Sequence, residues 1–191
     1  MTAAPPFSVL VVCTGNVCRS PAAELLLRAG LGDDAGVAVS SAGLAALTGE
    51  PVAAPMASLL AARGIATDGF TARQLQAAGI RSAGLVLTMT AAQRSAVVSR
   101  LPAAVRRTFT LRELAELARL AEHVPGAPAE RLAALVAQAP RLRALRTGAR
   151  QDDVEDPYGR PDEVFRRVLA LIEVSVAELI DVVAPRPARS A

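Results

Sequence analysis

Apolar positions fall into two patterns along the chain. Residues 7–12 and 83–89 are short, continuous apolar runs without alternation, as expected of strands buried on both faces of a parallel sheet. Residues 37–41 read as a further strand, and residues 107–111 as a short fourth one. Between these runs the apolar positions take helical spacing. Pro21 opens a helix that ends near Gly30 to Gly32. Residues 52–63 predict a helix closed by Gly64, and residues 71–78 a short helix capped by Thr71. Thr90 is placed to cap a helix over 91–101, and residues 112–122 and 129–146 are helical by composition. The most regular helical pattern spans 161–183, with Val164, Phe165, Val168, Leu171 and Ile172 on one face. Residues 43–51 read as a loop and residues 185–191 as a frayed tail.

Strands alternating with helices predict an α/β three-layer sandwich, a four-stranded parallel sheet with helices on both faces. One domain is expected over residues 1–184, since 191 residues at 52% hydrophobic content suffice for a single core. Residues 124–150, rich in Ala, Arg, Leu and Pro, suggest an inserted helix on the rim of the ligand site.

Composition narrows the chemistry. No apolar stretch reaches the eighteen residues of a membrane span, and the first residues lack a basic signal-peptide start, so a cytoplasmic protein is expected. With 2 cysteines and 1 histidine, neither a disulfide framework nor a zinc site is expected. The basic residues are all arginine, which removes a lysine-dependent phosphate loop and Schiff-base chemistry. A net charge of +3, arginines spread along the chain and 3% aromatics argue against a nucleic-acid partner. No cofactor or metal is expected.

The chemistry concentrates in one segment. The first apolar run feeds Cys13, and Thr14-Gly15-Asn16-Val17-Cys18-Arg19-Ser20-Pro21 follows. Gly15 and Asn16 stand where a loop must turn, and Ser20-Pro21 where a helix must begin. Such a strand–loop–helix unit converges backbone N–H groups on one point. Arg19 adds a planar fork that matches two phosphate oxygens. Cys13 at the centre of that field is expected to ionise readily and to act as a nucleophile. Ser20 is placed either to donate to the Cys13 sulfur or to cap the helix. A core cysteine before an ordinary capped helix would leave the full string unexplained. An aryl leaving group also needs a proton, and no histidine lies near the motif. The acidic cluster Asp152, Asp153, Glu155 and Asp156 is the available source of a carboxylic acid.

The string from Val12 to Pro21 resembles the phosphate-binding loop of the low-molecular-weight protein tyrosine phosphatases. Asp156-Pro157-Tyr158-Gly159 resembles that family's general-acid segment, and weaker similarities lie at Ser40–Gly43, Gly49–Pro51, Thr71–Leu75 and Leu85–Thr90. The resemblance implies hydrolysis of phosphotyrosine through a phosphocysteine, with Cys13 as nucleophile, Arg19 on the phosphate and Asp156 as acid. It implies a substrate-binding set of Thr14, Gly15, Asn16, Val17, Cys18, Ser20 and Tyr158, the last stacking on the aryl group. Partners would be tyrosine-phosphorylated proteins, including a bacterial-type tyrosine kinase. Relatives often carry an aromatic on the 43–51 loop, where this chain offers Leu44 and Leu47, and often an aspartate at Gly84, whose structural hydrogen bond would be missing here. Arg73 matches a basic position of the family and reads as structural or solvated. Cys18 would pair reversibly with Cys13, or simply fill space. Three other readings stay open: thiol-coupled arsenate reduction, dephosphorylation of phosphoarginine (disfavoured by Val17 in place of a threonine), and phosphotyrosine binding without turnover.

Overall fold

A computed structural model describes residues 5–146 and 151–184. Strands β1 (Phe7–Cys13), β2 (Val37–Gly43), β3 (Leu85–Thr88) and β4 (Thr108–Thr110) form one parallel sheet in the order β2-β1-β3-β4. From β1 the chain moves to one side for β2, then crosses to the other side for β3. Strand order therefore reverses at β1, and a crevice opens beyond its carboxyl end. Cys13 is the last residue of β1, paired with Gly43 of β2.

Alternation along the strands builds a core on each face. Val9 and Val11 of β1, with Leu85 and Leu87 of β3, face the larger core. Helices α1 (Arg19–Leu31), α2 (Ala54–Ala61), α5 (Leu111–Ala118), α6 (Pro128–Leu142) and α7 (Asp162–Val183) cover it. Leu10, Val12 and Val86 face a smaller core closed by Ile80 of α3 (Ala77–Ser82) and Val97 of α4 (Ala91–Arg100). Helix α7 sinks Phe165, Val168, Leu169 and Ile172 into the larger core. Each such side chain contributes about 1.5–3 kcal/mol of transfer free energy. The predicted three-layer architecture is the observed one. Thr90 caps α4 by accepting from Gln93 N at 3.1 Å. Among the described residues, no helix is long and apolar enough to cross a membrane.

The structure departs from several expectations. Residues 71–76 are extended rather than helical, and α3 starts only at Ala77. Their backbone groups are used by the neighbouring loop: Gly43 N donates to Arg73 O, Leu75 N to Gly43 O and Ala72 N to Glu50 O, each at 2.8 Å. Helix α2 is shorter than the 52–63 pattern, because Ala53 N is drawn to Val17 O at 2.8 Å before the helix begins. The predicted rim helix is a core helix. Leu132, Leu135, Ala139 and Leu142 of α6 are buried in the larger core, and α6 starts beside Gly36 at the amino end of β2. At Gly84 the ring of Phe7 fills the space a side chain would need, 2.7 Å from an added Cβ. The tail expected over 185–191 lies outside the described residues.

Candidate active site

Cys13 ends a buried strand, and the chain must then turn to start α1 at Arg19. The turn is held from outside. The carbonyls of Cys13, Thr14, Gly15 and Val17 accept from the N–H groups of Leu44, Ala45, Leu47 and Ala53 at 2.8–3.0 Å. Carbonyls engaged outward leave the N–H edge of the loop on its inner side. Asn16 N accordingly donates to Cys13 Sγ at 3.2 Å, and the Ser20 hydroxyl lies 3.0 Å from the same sulfur.

Asn16 makes the turn possible. It takes a left-handed conformation, φ 57°, the one non-glycine residue to do so among those described. Its side chain is fully buried and fully used. Nδ2 donates to Ser20 Oγ at 2.9 Å and to Ser41 Oγ at 2.8 Å, and Oδ1 accepts from Arg73 N at 2.8 Å. Ser41 in turn donates to Glu24 Oε2 at 2.6 Å. Glu24 is 3% exposed and its charge is met by Arg73 at 3.4 Å and Arg28 at 3.7 Å. A continuous polar chain thus runs from the Cys13 sulfur to the far side of α1.

Arg19 is buried at the first position of α1. Its Nη1 donates to Val154 O at 3.1 Å and its Nη2 to Asp156 Oδ2 at 2.5 Å. Its Nε is buried without a partner in the described protein. Asp156 stays half-exposed, and its Oδ1 accepts from Tyr158 N at 3.2 Å. These groups bound a cleft of about 180 Å³. Val17 of the loop, Ala45 and Leu47 of the 43–51 loop, and Asp156 and Tyr158 all line it.

Cys13, Arg19 and Asp156 therefore converge on one cleft, together with Thr14, Gly15, Val17, Cys18 and Tyr158. Asn16 and Ser20, expected among the substrate contacts, do not line it; both are fully buried behind the loop. Ser20 does not cap α1, whose cap position is occupied by Cys18 without a side-chain bond. Cys18 is buried and unpaired, and burial, reinforced by Asp156 and Cys13, pushes its thiol up to about 12. It is thus a neutral thiol beside the nucleophile. Arg73 reaches Glu24 rather than the cleft, in line with the structural role expected of it. On the 43–51 loop it is Leu47, not an aromatic, that brings a large side chain to the cleft.

Sequence reasoning missed Gln93, Ser41 and Glu24. Gln93 donates to Thr14 Oγ1 at 3.1 Å and accepts from Met89 N at 3.0 Å. A polar residue inside a predicted helix, or an acid one turn into another, carries no signal of its tertiary partner. Among the described residues, no group of three or more His, Cys, Asp or Glu side chains is gathered as a metal site.

A parallel sheet with a Cys-x5-Arg loop at its switch point defines a phosphate-loop protein that works through cysteine. Comparison with known proteins makes the class specific. Residues 8–131 match the family model described as low molecular weight phosphotyrosine protein phosphatase. The probable low molecular weight protein-tyrosine-phosphatase EpsP of Ralstonia solanacearum is 31% identical over 169 residues, covering 88% of this chain and 90% of that one. The protein-arginine-phosphatase of Geobacillus stearothermophilus is 29% identical over 176 residues, 92% of this chain and 95% of that one. The solved YwlE arginine phosphatase from that organism superimposes with a TM-score of 0.67 over 92% of both chains. The tyrosine phosphatase AmsI of Erwinia amylovora, 23% identical, shares the fold with a TM-score of 0.70 over 96% of this chain and 97% of that one. The chain belongs to the low molecular weight phosphotyrosine protein phosphatase family, a family of phosphoric monoester hydrolases.

Proposed function

We propose that the cleft hydrolyses phosphotyrosine in proteins through a phosphocysteine, with Cys13 as nucleophile, Arg19 as phosphate clamp and Asp156 as general acid. The observation that carries this reading is the meeting of Arg19 and Asp156 in the cleft that Cys13 lines. An arriving phosphate takes its oxygens to the loop N–H groups and to the Arg19 guanidinium, which lines the cleft. The Cys13 sulfur attacks phosphorus in line with the ester oxygen, and an S–P bond forms as the P–O bond breaks. Asp156, which accepts from Arg19 in the free protein, takes up a proton as the phosphate draws the guanidinium to itself, and gives that proton to the departing phenol oxygen. The resulting carboxylate then takes a proton from water, which attacks phosphorus and releases inorganic phosphate and the Cys13 thiolate. Ser20, 3.0 Å from the sulfur, stabilises that leaving thiolate.

The walls favour an aryl ester. Val17, Ala45 and Leu47 offer apolar surface, and Tyr158 offers a half-open ring for stacking. A phosphorylated guanidinium would need hydrogen-bond partners for its N–H groups, and Val17 has none to give. Partners are accordingly tyrosine-phosphorylated proteins, among them a bacterial-type tyrosine kinase, met in the cytoplasm. The test is metal-free turnover of p-nitrophenyl phosphate, then of phosphotyrosine and phosphoarginine peptides. Wild type should act on the first two, Cys13→Ser on none, and Asp156→Ala only feebly. Preference for phosphoarginine would replace this reading with the arginine phosphatase one, and inactivity of the reduced wild type would refute both.

A further inference from the structure

The general acid sits on a segment that cannot hold itself in place. From residue 151 to Pro161 there is neither helix nor strand pairing, only a turn at 158–160. Its position over the cleft comes from contacts to other elements. Val154, fully buried, donates its N–H to Met89 O at 2.8 Å and accepts from Arg19 Nη1 at 3.1 Å. One residue earlier, Asp153 Oδ1 accepts from Ala91 N at 2.7 Å, while Arg112 Nη1 reaches Asp153 O at 3.3 Å.

Ala91 is the first residue of α4, and its N–H has no acceptor within that helix. Thr90 satisfies the Gln93 N–H locally, so Asp153 supplies a second cap from 62 residues away. A carboxylate there also meets the positive end of the helix dipole. The same first turn holds the phosphate loop, because Gln93 spans from Met89 N to Thr14 Oγ1. One short strut, residues 89–93, thus grips the acid loop with one hand and the phosphate loop with the other.

We propose that Asp153 is a positioning residue for the general acid: its bond to the first turn of α4 fixes the distance of the Asp156 loop from the Cys13 loop. This rests on the phosphatase reading above. Asp153 does not line the cleft, so its effect must pass through proton donation. Proton donation matters most for a poor leaving group and least for a good one. A merely stabilising cap would lower turnover of both kinds of ester alike.

The experiment compares kcat/KM for phenyl phosphate and p-nitrophenyl phosphate in wild type, Asp153→Ala, Asp153→Asn and Asp156→Ala, with a thermal melt of each variant. For Asp153→Ala a loss of about 5- to 10-fold is expected on phenyl phosphate, against about 2-fold or less on p-nitrophenyl phosphate. Asp153→Asn keeps the accepting oxygen and should restore both rates to within about 2-fold of wild type. Equal losses on both esters, no loss on either, or an Asn variant as poor as Ala would overturn the inference. Asp156→Ala separates the two levels. If it shows the leaving-group dependence and Asp153→Ala does not, this inference alone falls. If wild type turns over neither ester, the phosphatase reading falls and takes the inference with it.

Discussion

Arg19 and Asp156, 137 positions apart in sequence, meet at 2.5 Å, guanidinium N–H to carboxylate oxygen. One planar fork holds the acid loop at two points, Nη1 on Val154 O and Nη2 on Asp156 Oδ2. Lysine, a point charge on a flexible stem, cannot do both. Arg19→Lys should therefore lower kcat/KM on p-nitrophenyl phosphate by about 10²- to 10³-fold. A loss under about 5-fold would mean that charge alone, not the fork, is what the site uses.

The buried chain Glu24–Ser41–Asn16–Ser20 predicts a stability effect remote from the cleft. Glu24→Leu would strip the Ser41 hydroxyl of its acceptor at 2.6 Å and leave Arg73 without its carboxylate. An unsatisfied buried hydroxyl costs about 1–3 kcal/mol. Urea denaturation of Glu24→Leu should show a loss of that size, with kcat reduced as Asn16 loosens. Glu24→Gln keeps an accepting oxygen and should recover most of the stability. Equal midpoints for Glu24→Leu and wild type would show that the chain does not brace the loop.

The contrast between what the sequence disclosed and what it hid follows from the range of each interaction. The Cys13–Pro21 string was legible because strand end, turn and helix start are contiguous, although the partners that hold Asn16 and Arg19 are remote in sequence. Thr90 as a cap was legible for the same reason. Residues 71–76 misled because Thr71 looks like a cap, while the extended form is imposed by bonds to Gly43 and Glu50. The 124–150 stretch misled because nothing local says where an amphipathic helix will dock; the buried face of α6 is complementary to α5 and α7, not to the cleft. The placement of Asp156 needed a family resemblance, since a cluster of four acids carries no mark of which one meets Arg19.

Gly43 gives a sharper packing test. A Cβ there would lie 2.5 Å from Thr14 O and 2.9 Å from Ala46 Cα, both backbone atoms that cannot step aside. Gly43→Ala should push the phosphate loop away from the 43–51 loop that holds its carbonyls. Overpacking of this kind costs about 1–3 kcal/mol or more. KM for p-nitrophenyl phosphate should rise alongside a lower melting temperature. Gly79→Ala, at ordinary helical φ in α3 and with an added Cβ no nearer than 3.9 Å to Leu10 Cδ2, should leave KM unchanged. Unaltered KM in Gly43→Ala would show that the loop tolerates displacement.

Cys18 makes stability depend on alkaline pH. Burial first, then the negative charges of Asp156 and Cys13, raise its thiol from 9.0 to about 12. The unfolded chain releases this proton near pH 9, whereas the folded chain keeps it until about 12. Between those values the native state binds more protons than the unfolded one, so stability falls as pH rises, by up to about 1.4 kcal/mol per pH unit from this group. Below pH 9 the group has no effect on the slope. Cys18→Ser has no proton to lose in this range. Urea midpoints measured from pH 8 to pH 11 should therefore converge for the two proteins, with any wild-type advantage at pH 8 shrinking as pH rises. Parallel curves over the whole range would show that the Cys18 thiol titrates alike in the folded and unfolded chain.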